Sequence, residues 1–201
     1  MIQKLYNKLN NRDFITPGGI SYNFYIVPYD VRKEAEIMAN IAAIAGDLKR
    51  PADYIDVLSL DLFDIFMEFL GKTSFGNRSL LDHLLEADEK ATEPRIHENI
   101  TKALSDKAHG KPFVDFVHAK VSAHFAQSDE LHKRPYVFIY GIGAMYPYLR
   151  ANAFLTAYEA VNDASRYKVI LFYPGTVKDA EFSLFGILND HHAYRAQILE
   201  L

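Results

Sequence analysis

Apolar positions along this chain change period several times, and each change marks an element. Residues 21–28, SYNFYIVP, are an aromatic and β-branched run behind the turn signal TPGG, which predicts a strand. Directly after it Ile37, Ile41, Ile44 and Leu48 recur at helical spacing, with Asp30 placed to cap the helix start. DYIDVLSL then predicts a second strand and DLFDIFMEFLGK a second helix.

From Asn77 to about His132 strand-like runs disappear and three amphipathic helical stretches follow one another. Leu80, Leu81, Leu84 and Leu85 stripe the first. Thr92 and Pro94 open the second, with Ile96, Ile100 and Leu104 on one face. Pro112 opens the third, in which Phe113, Phe116, Val117 and Val121 recur. The strand pattern resumes with PYVFIYG and RYKVILFYPG, separated by a helix entered at Pro147, with Leu149, Ala153, Ala157, Ala160 and Val161 as its expected buried stripe. Both strands are continuous apolar runs, as expected where a parallel sheet is covered on both faces. FSLFGILNDHHAYRAQIL mixes short apolar runs with turn signals and predicts a closing pair of edge strands. The pattern as a whole predicts an α/β fold, a mostly parallel open sheet flanked by helices with a central all-helical insertion at about 77–132, in a single domain spanning 1–201.

Length and composition fit that reading: 201 residues suffice for one large domain, burying roughly 70% of the surface of the unfolded chain. A net charge of −4 gives no electrostatic footprint for independent nucleic-acid binding, so direct binding of DNA is not expected. The absence of cysteine excludes disulfides, thiolate metal sites and cysteine nucleophiles, and accords with a reducing, cytoplasmic setting. The amino-terminal MIQKLYNKLNNRDF lacks the apolar core of a signal peptide, and no run approaches the ~20 apolar residues of a membrane span.

Candidate chemistry is sparse. LGKTSFG ends like a phosphate-binding loop, but the position that should hold its first glycine is Phe66, and the triplet follows a helix instead of opening one. A helix carboxyl terminus, with Gly71 left-handed and Lys72 facing the dipole, accounts for these residues. Gly141 and Gly143 in YVFIYGIGAMYPYLRANAF occupy the first two positions of a dinucleotide fingerprint after a strand, while Tyr146 stands where the third glycine belongs. Two readings stay open. Gly141, Gly143 and Arg150 could hold an anion or a partner's carboxylate near a helix start. Alternatively, the glycines permit close packing, and Arg150 bonds a carboxylate of this chain or stacks on a neighbouring tyrosine. If the strands are parallel, Asp30, Asp61 and the Tyr173–Pro174–Gly175 corner lie at the same sheet edge. The two aspartates are good helix caps, and an acidic pair facing Arg150 is the alternative. The eight histidines make no zinc-binding spacing, and no Gly-x-Ser-x-Gly elbow occurs.

Several ordered motifs in the last third, YVFIYGIGAMYPYLRANAFL, VILFYPG, FSLFG and LNDHHAYRAQIL, resemble the carboxyl-terminal signature of the BrxB family, small components of BREX bacteriophage-exclusion systems. YIVPYD and LDLFDIFMEFL fit the same family more loosely. One departure is DHHAYRA, where an aromatic is expected instead of His192 or Ala193. The resemblance implies a cytoplasmic, non-catalytic accessory protein, and no cofactor or metal is expected. It would work beside a DNA methyltransferase, a large ATPase and an alkaline-phosphatase-like protein. Its pattern covers Gly141, Gly143, Tyr146, Arg150, Tyr173 and Arg195, which as a set of tyrosine and arginine anchors at one sheet edge would suit a protein interface. The competing expectation is a nucleotide- or phosphate-binding enzyme built on the degenerate Gly-x-Gly turn.

Overall fold

A computed structural model of the chain describes residues 2–11, 14, 24–50, 55–127, 133–162, 166–178, 181–190 and 196–199. Its elements run α1 (Ile2–Leu9), β1 (Phe24–Tyr29), a 3-10 turn (Val31–Lys33), α2 (Glu34–Leu48), β2 (Ile55–Asp61), α3 (Leu62–Lys72) and a small hairpin of β3 (Ser74–Phe75) and β4 (Arg78–Ser79). Three helices follow, α4 (Leu80–Glu89), α5 (Pro94–His109) and α6 (Lys111–Ala126). The chain closes with β5 (Lys133–Tyr140), α7 (Ala151–Glu159), β6 (Lys168–Lys178), β7 (Glu181–Leu184), β8 (Leu188–Asp190) and β9 (Gln197–Ile198).

The strands order β2-β5-β6-β1-β9, all parallel, with the antiparallel hairpin β7–β8 attached to the far end of β6. Side chains alternate across a strand, so the continuous apolar runs divide into two cores. Phe24, Ile26, Val137, Ile139, Val169 and Leu171 face the core covered by α3, α6 and α7. Tyr25, Val27, Tyr136, Phe138, Ile170 and Phe172 face the other, covered by α1 and α2. Burial of each such side chain contributes about 1.5–3 kcal/mol, so an uninterrupted apolar run is stable only with helices on both sides.

The mostly parallel sheet and the run of three helices stand as expected. The final segment does form β7 and β8, but β9 returns to the main sheet beside β1. Two short elements went unpredicted. In α1 two turns suffice to bury Leu5 and Leu9, and the β3–β4 turn uses Gly76 at φ +64°. Gly71 is helical, not left-handed: α3 runs through Lys72, and Thr73 closes it by donating its N–H to Phe69 O at 3.0 Å.

The largest departure follows β5. Residues 142–148 form successive tight turns, in which Ala144, Met145 and Tyr146 donate to the carbonyls of Gly141, Ile142 and Gly143 at 3.1–3.2 Å. Pro147 has no N–H and disfavours helical backbone at the residue before it, and its peptide bond with Tyr146 is cis. The helix begins at Ala151, and its buried face is Ala151, Phe154, Leu155 and Tyr158 instead of the expected alanine stripe.

Candidate functional site: the carboxyl edge of the sheet

Four parallel strands deliver their carboxyl ends to one edge, where open α/β sheets bind ligands and partners. Strand order decides which ends are neighbours. Asp61, at the end of β2, lies beside Gly141 at the end of β5, whereas Asp30 follows β1 next to the Pro174–Gly175 corner of β6. Two strands separate the aspartates, so at ~4.8 Å per strand they are about 14 Å apart and make no acidic pair.

Each aspartate acts as a cap. The Asp61 carboxylate accepts the N–H groups of Phe63 (2.9 Å) and Asp64 (3.3 Å) at the start of α3. Asp30 accepts the backbone N–H of Arg32 at 3.0 Å and its guanidinium Nη2 at 2.6 Å. These bonds to Arg32 hold the Asp30 carboxyl at about 2, well below the ordinary carboxylate range. Beside it the Tyr29 hydroxyl is pushed up by burial and then by Glu34, whose Oε1 accepts its proton at 3.2 Å.

The Gly-x-Gly segment is a packing device. Gly141 has φ +76°, and a Cβ there would overlap the Asp61 carboxylate. A Cβ on Gly143 would stand 2.8 Å from Pro174 Cγ and 2.9 Å from Phe185 Cε1. A phosphate cradle needs free N–H groups at a helix start directly after the strand. Here the N–H groups of Ala144, Met145 and Tyr146 serve the turns, a carboxylate lies against Gly141, and the helix starts at Ala151. The cleft below, lined by Ile142, Tyr146, Leu149, Arg150, Tyr173 and Leu184 among others, holds about 10 Å³, room for one water at most.

Of the expected binding residues, Arg150 is exposed at the amino end of α7, with its guanidinium carbon 5.9 Å from the centre of the half-buried Tyr146 ring. That stacking is the second of the two readings of Arg150. Tyr173 is 1% exposed, its ring edge-on to Phe182 at 5.6 Å, so it supports the edge from inside and offers no surface to a partner. Arg195 lies outside the described residues, as do His191 and His192. No group of three or more metal-ligating side chains occurs among the described residues.

Other features of this edge escaped the sequence reading. Phe185, at φ +58°, and Gly186, at φ +74°, turn the β7–β8 hairpin and leave Ile187 78% exposed at its tip. Phe–Gly between two apolar runs was the signal available. The pairing of His124 Nε2 with both oxygens of buried Asp56, at 3.0–3.1 Å, joins α6 to β2 at the opposite edge of the sheet, and nothing in the spacing of residues 68 apart announces it.

Residues 58–199 match the family described as BREX protein BrxB. The chain belongs to the BrxB family. It is 24% identical over 198 residues to a BREX protein BrxB of Bacillus cereus (strain H3081.97), covering 97% of this chain and 93% of that one. It is 20% identical over 197 residues to a BREX protein BrxB of Escherichia coli O9:H4 (strain HS), covering 97% and 88%. No solved structure matches the chain. BrxB is a component of the BREX phage-defence system, and the family description indicates no reaction. No described helix is long and apolar enough to cross a membrane.

Proposed function

We propose that this BrxB protein is a non-catalytic assembly module, which docks other components of its defence system at the carboxyl edge of the sheet. The observation that carries this reading is the exposed Arg150–Tyr146 stack, mounted on a loop that Gly141 and Gly143 wedge against Asp61, Pro174 and Phe185. Arginine and tyrosine are frequent interface anchors, and a stack held by a packed loop loses little side-chain freedom on binding. The exposed Ile187 supplies an apolar neighbour on the adjoining hairpin.

In this reading the chain acts as one cytoplasmic domain, because both cores share the strands of one sheet. Its partners are the system's phosphatase-like protein, ATPase or DNA methyltransferase, and it needs no cofactor. The packed turn and the water-sized cleft speak against the nucleotide-binding alternative. The test is purification of the protein co-expressed with the rest of its BREX system at physiological salt. A partner recovered in stoichiometric amount from wild type and lost from Arg150→Ala supports the reading, and equal recovery from both removes Arg150 from the interface.

A further inference from the structure

The sheet has an open strand edge that the Arg150 surface does not include. β1 ends at Tyr29, paired with Pro174, and the chain then turns aside through Asp30 into the 3-10 turn. β6 continues for four more residues, Gly175–Lys178, paired with β7. Backbone hydrogen bonds fix which way those residues point. Phe185 donates its N–H to Pro174 O at 2.8 Å, so in the antiparallel pair Thr176 bonds Ser183, while Gly175 and Val177 occupy the alternate, outward-facing positions. The opposite side of the sheet agrees. Leu199 donates to Ile26 O at 2.8 Å, which turns the even residues of β1 toward β9 and its odd residues toward β6. In the parallel register Tyr25↔Ile170, the odd residues of β6 then face β1. The parallel pairing of Tyr29 with Pro174 gives the Gly175 N–H to the Tyr29 carbonyl, so the Gly175 C=O and both backbone groups of Val177 point into the track that β1 has left. Among the described residues no strand pairs with Val177 there.

That track is a groove of about 580 Å³, with Val31, Arg32, Val177 and Phe185 among its walls. It is also the topological switch point: α2, after β1, covers one face of the sheet, while α7, after β5, and the β6–β7 hairpin belong to the other. We propose that the groove takes a short extended segment of a partner protein, added as a strand to the outward edge of Gly175–Lys178. This deepens the reading of the protein as a binding module and supplies a second contact. Length decides against a second folded copy. Four residues span about 13 Å, too little to bury the ~800 Å² per partner of a stable interface, yet enough for a strand-addition motif. Asp30 and Arg32 neutralise each other at the groove mouth, which fits a segment of uncharged, alternately apolar residues.

The test combines amide hydrogen exchange with binding of short overlapping peptides that tile the other proteins of the BREX system. In the free protein the amide of Val177 exchanges fast and that of Thr176 slowly; slow exchange at Val177 would mean that this chain already fills its own groove, and would overturn the proposal. One peptide is expected to bind and to protect the Val177 amide. Val177→Pro, which removes the outward N–H, should weaken it by about tenfold, the scale of one backbone bond lost with its acceptor left bare, while Val177→Thr retains binding. If the proline variant does not fold, protection of the Val177 amide in wild type decides alone. Binding of no peptide, equal binding by Val177→Pro, or a dimer of this chain that Val177→Pro dissociates would each overturn the proposal. Failure of the Arg150 surface would show separately, as co-purification unaffected by Arg150→Ala while peptide binding persists.

Discussion

The Asp61 carboxylate occupies the place where a Cβ on Gly141 would stand. This contact joins the ends of two neighbouring strands and makes one residue serve twice, as cap of α3 and as floor of the loop that carries Tyr146 and Arg150. Gly141→Ala adds a methyl group at a left-handed φ and drives it into the carboxylate. The expected loss is about 1–3 kcal/mol from the backbone alone, lowering Tm by several degrees. Asp61→Ala should cost about 1 kcal/mol as a lost cap. Because the second change opens the space the first needs, the double variant should lose less than the sum of the two. Urea denaturation of all four proteins measures the coupling, and strict additivity would refute the contact.

Much of this architecture was legible because it depends on periodicity. The continuous apolar runs of β5 and β6 announced a sheet covered on both faces, and Ile37, Ile41, Ile44 and Leu48 announced α2, all four of them buried. The sequence reading also placed Asp30 and Asp61 as caps, because short carboxylates ahead of helices have that local role. It failed where geometry is decided at a distance. Pro147 was expected inside a first helical turn, but residues 142–148 are held by their own turn bonds and by contact with Pro174 and Phe185, which lie far along the chain. Tyr173 was expected among the exposed anchors at the end of its strand. β6 instead runs straight through Pro174 and Gly175 to pair with β7.

If the glycines serve packing, no nucleotide should stabilise the protein. Saturation at ~100 times the dissociation constant would contribute about 2.7 kcal/mol, a rise in Tm of about 5–10 °C for a chain of this size. Thermal melts with ATP, GTP and dinucleotides, with and without magnesium, are expected to superimpose. Gly143→Ala should lower Tm in the absence of any ligand, because its Cβ would crowd Pro174 and Phe185. A reproducible nucleotide-dependent rise would restore the phosphate cradle.

Glu68 ties α3 to α6: Lys120 Nζ donates to its carboxylate from 2.7 Å and Lys72 Nζ from 2.6 Å, and both ammonium groups stand over the Phe116 ring. The bond from Lys120, then that from Lys72, holds the carboxyl below its ordinary range. A carboxyl pKa depressed in the folded state stabilises the fold above the unfolded value of ~4.3, and that contribution disappears as pH falls through the lower folded value. Glu68→Gln should therefore cost about 0.5–1 kcal/mol at neutral pH, less in molar salt, and should flatten the acid limb of the stability curve. Urea midpoints measured from pH 7 down to pH 3 check this, and parallel curves for variant and wild type would show that the three charges do not interact.

Arg150 separates stability from recognition. Its guanidinium is exposed over Tyr146, and the cation–π contact that Arg150→Ala removes contributes about 0.5–1 kcal/mol at an exposed site, so Tm should fall by a few degrees. Recovery of the partner from co-expressed BREX components should nevertheless collapse, because a planar, stacked guanidinium is what the loop presents. Arg150→Lys keeps the charge but not the plane and should restore little, whereas Tyr146→Phe keeps the ring and should bind as wild type. Full rescue by lysine would mean that the partner reads only a positive charge. Loss of binding in Tyr146→Phe would shift the anchor from the stack to the tyrosine hydroxyl. Both results come from the same pull-down, normalised to folded protein by circular dichroism.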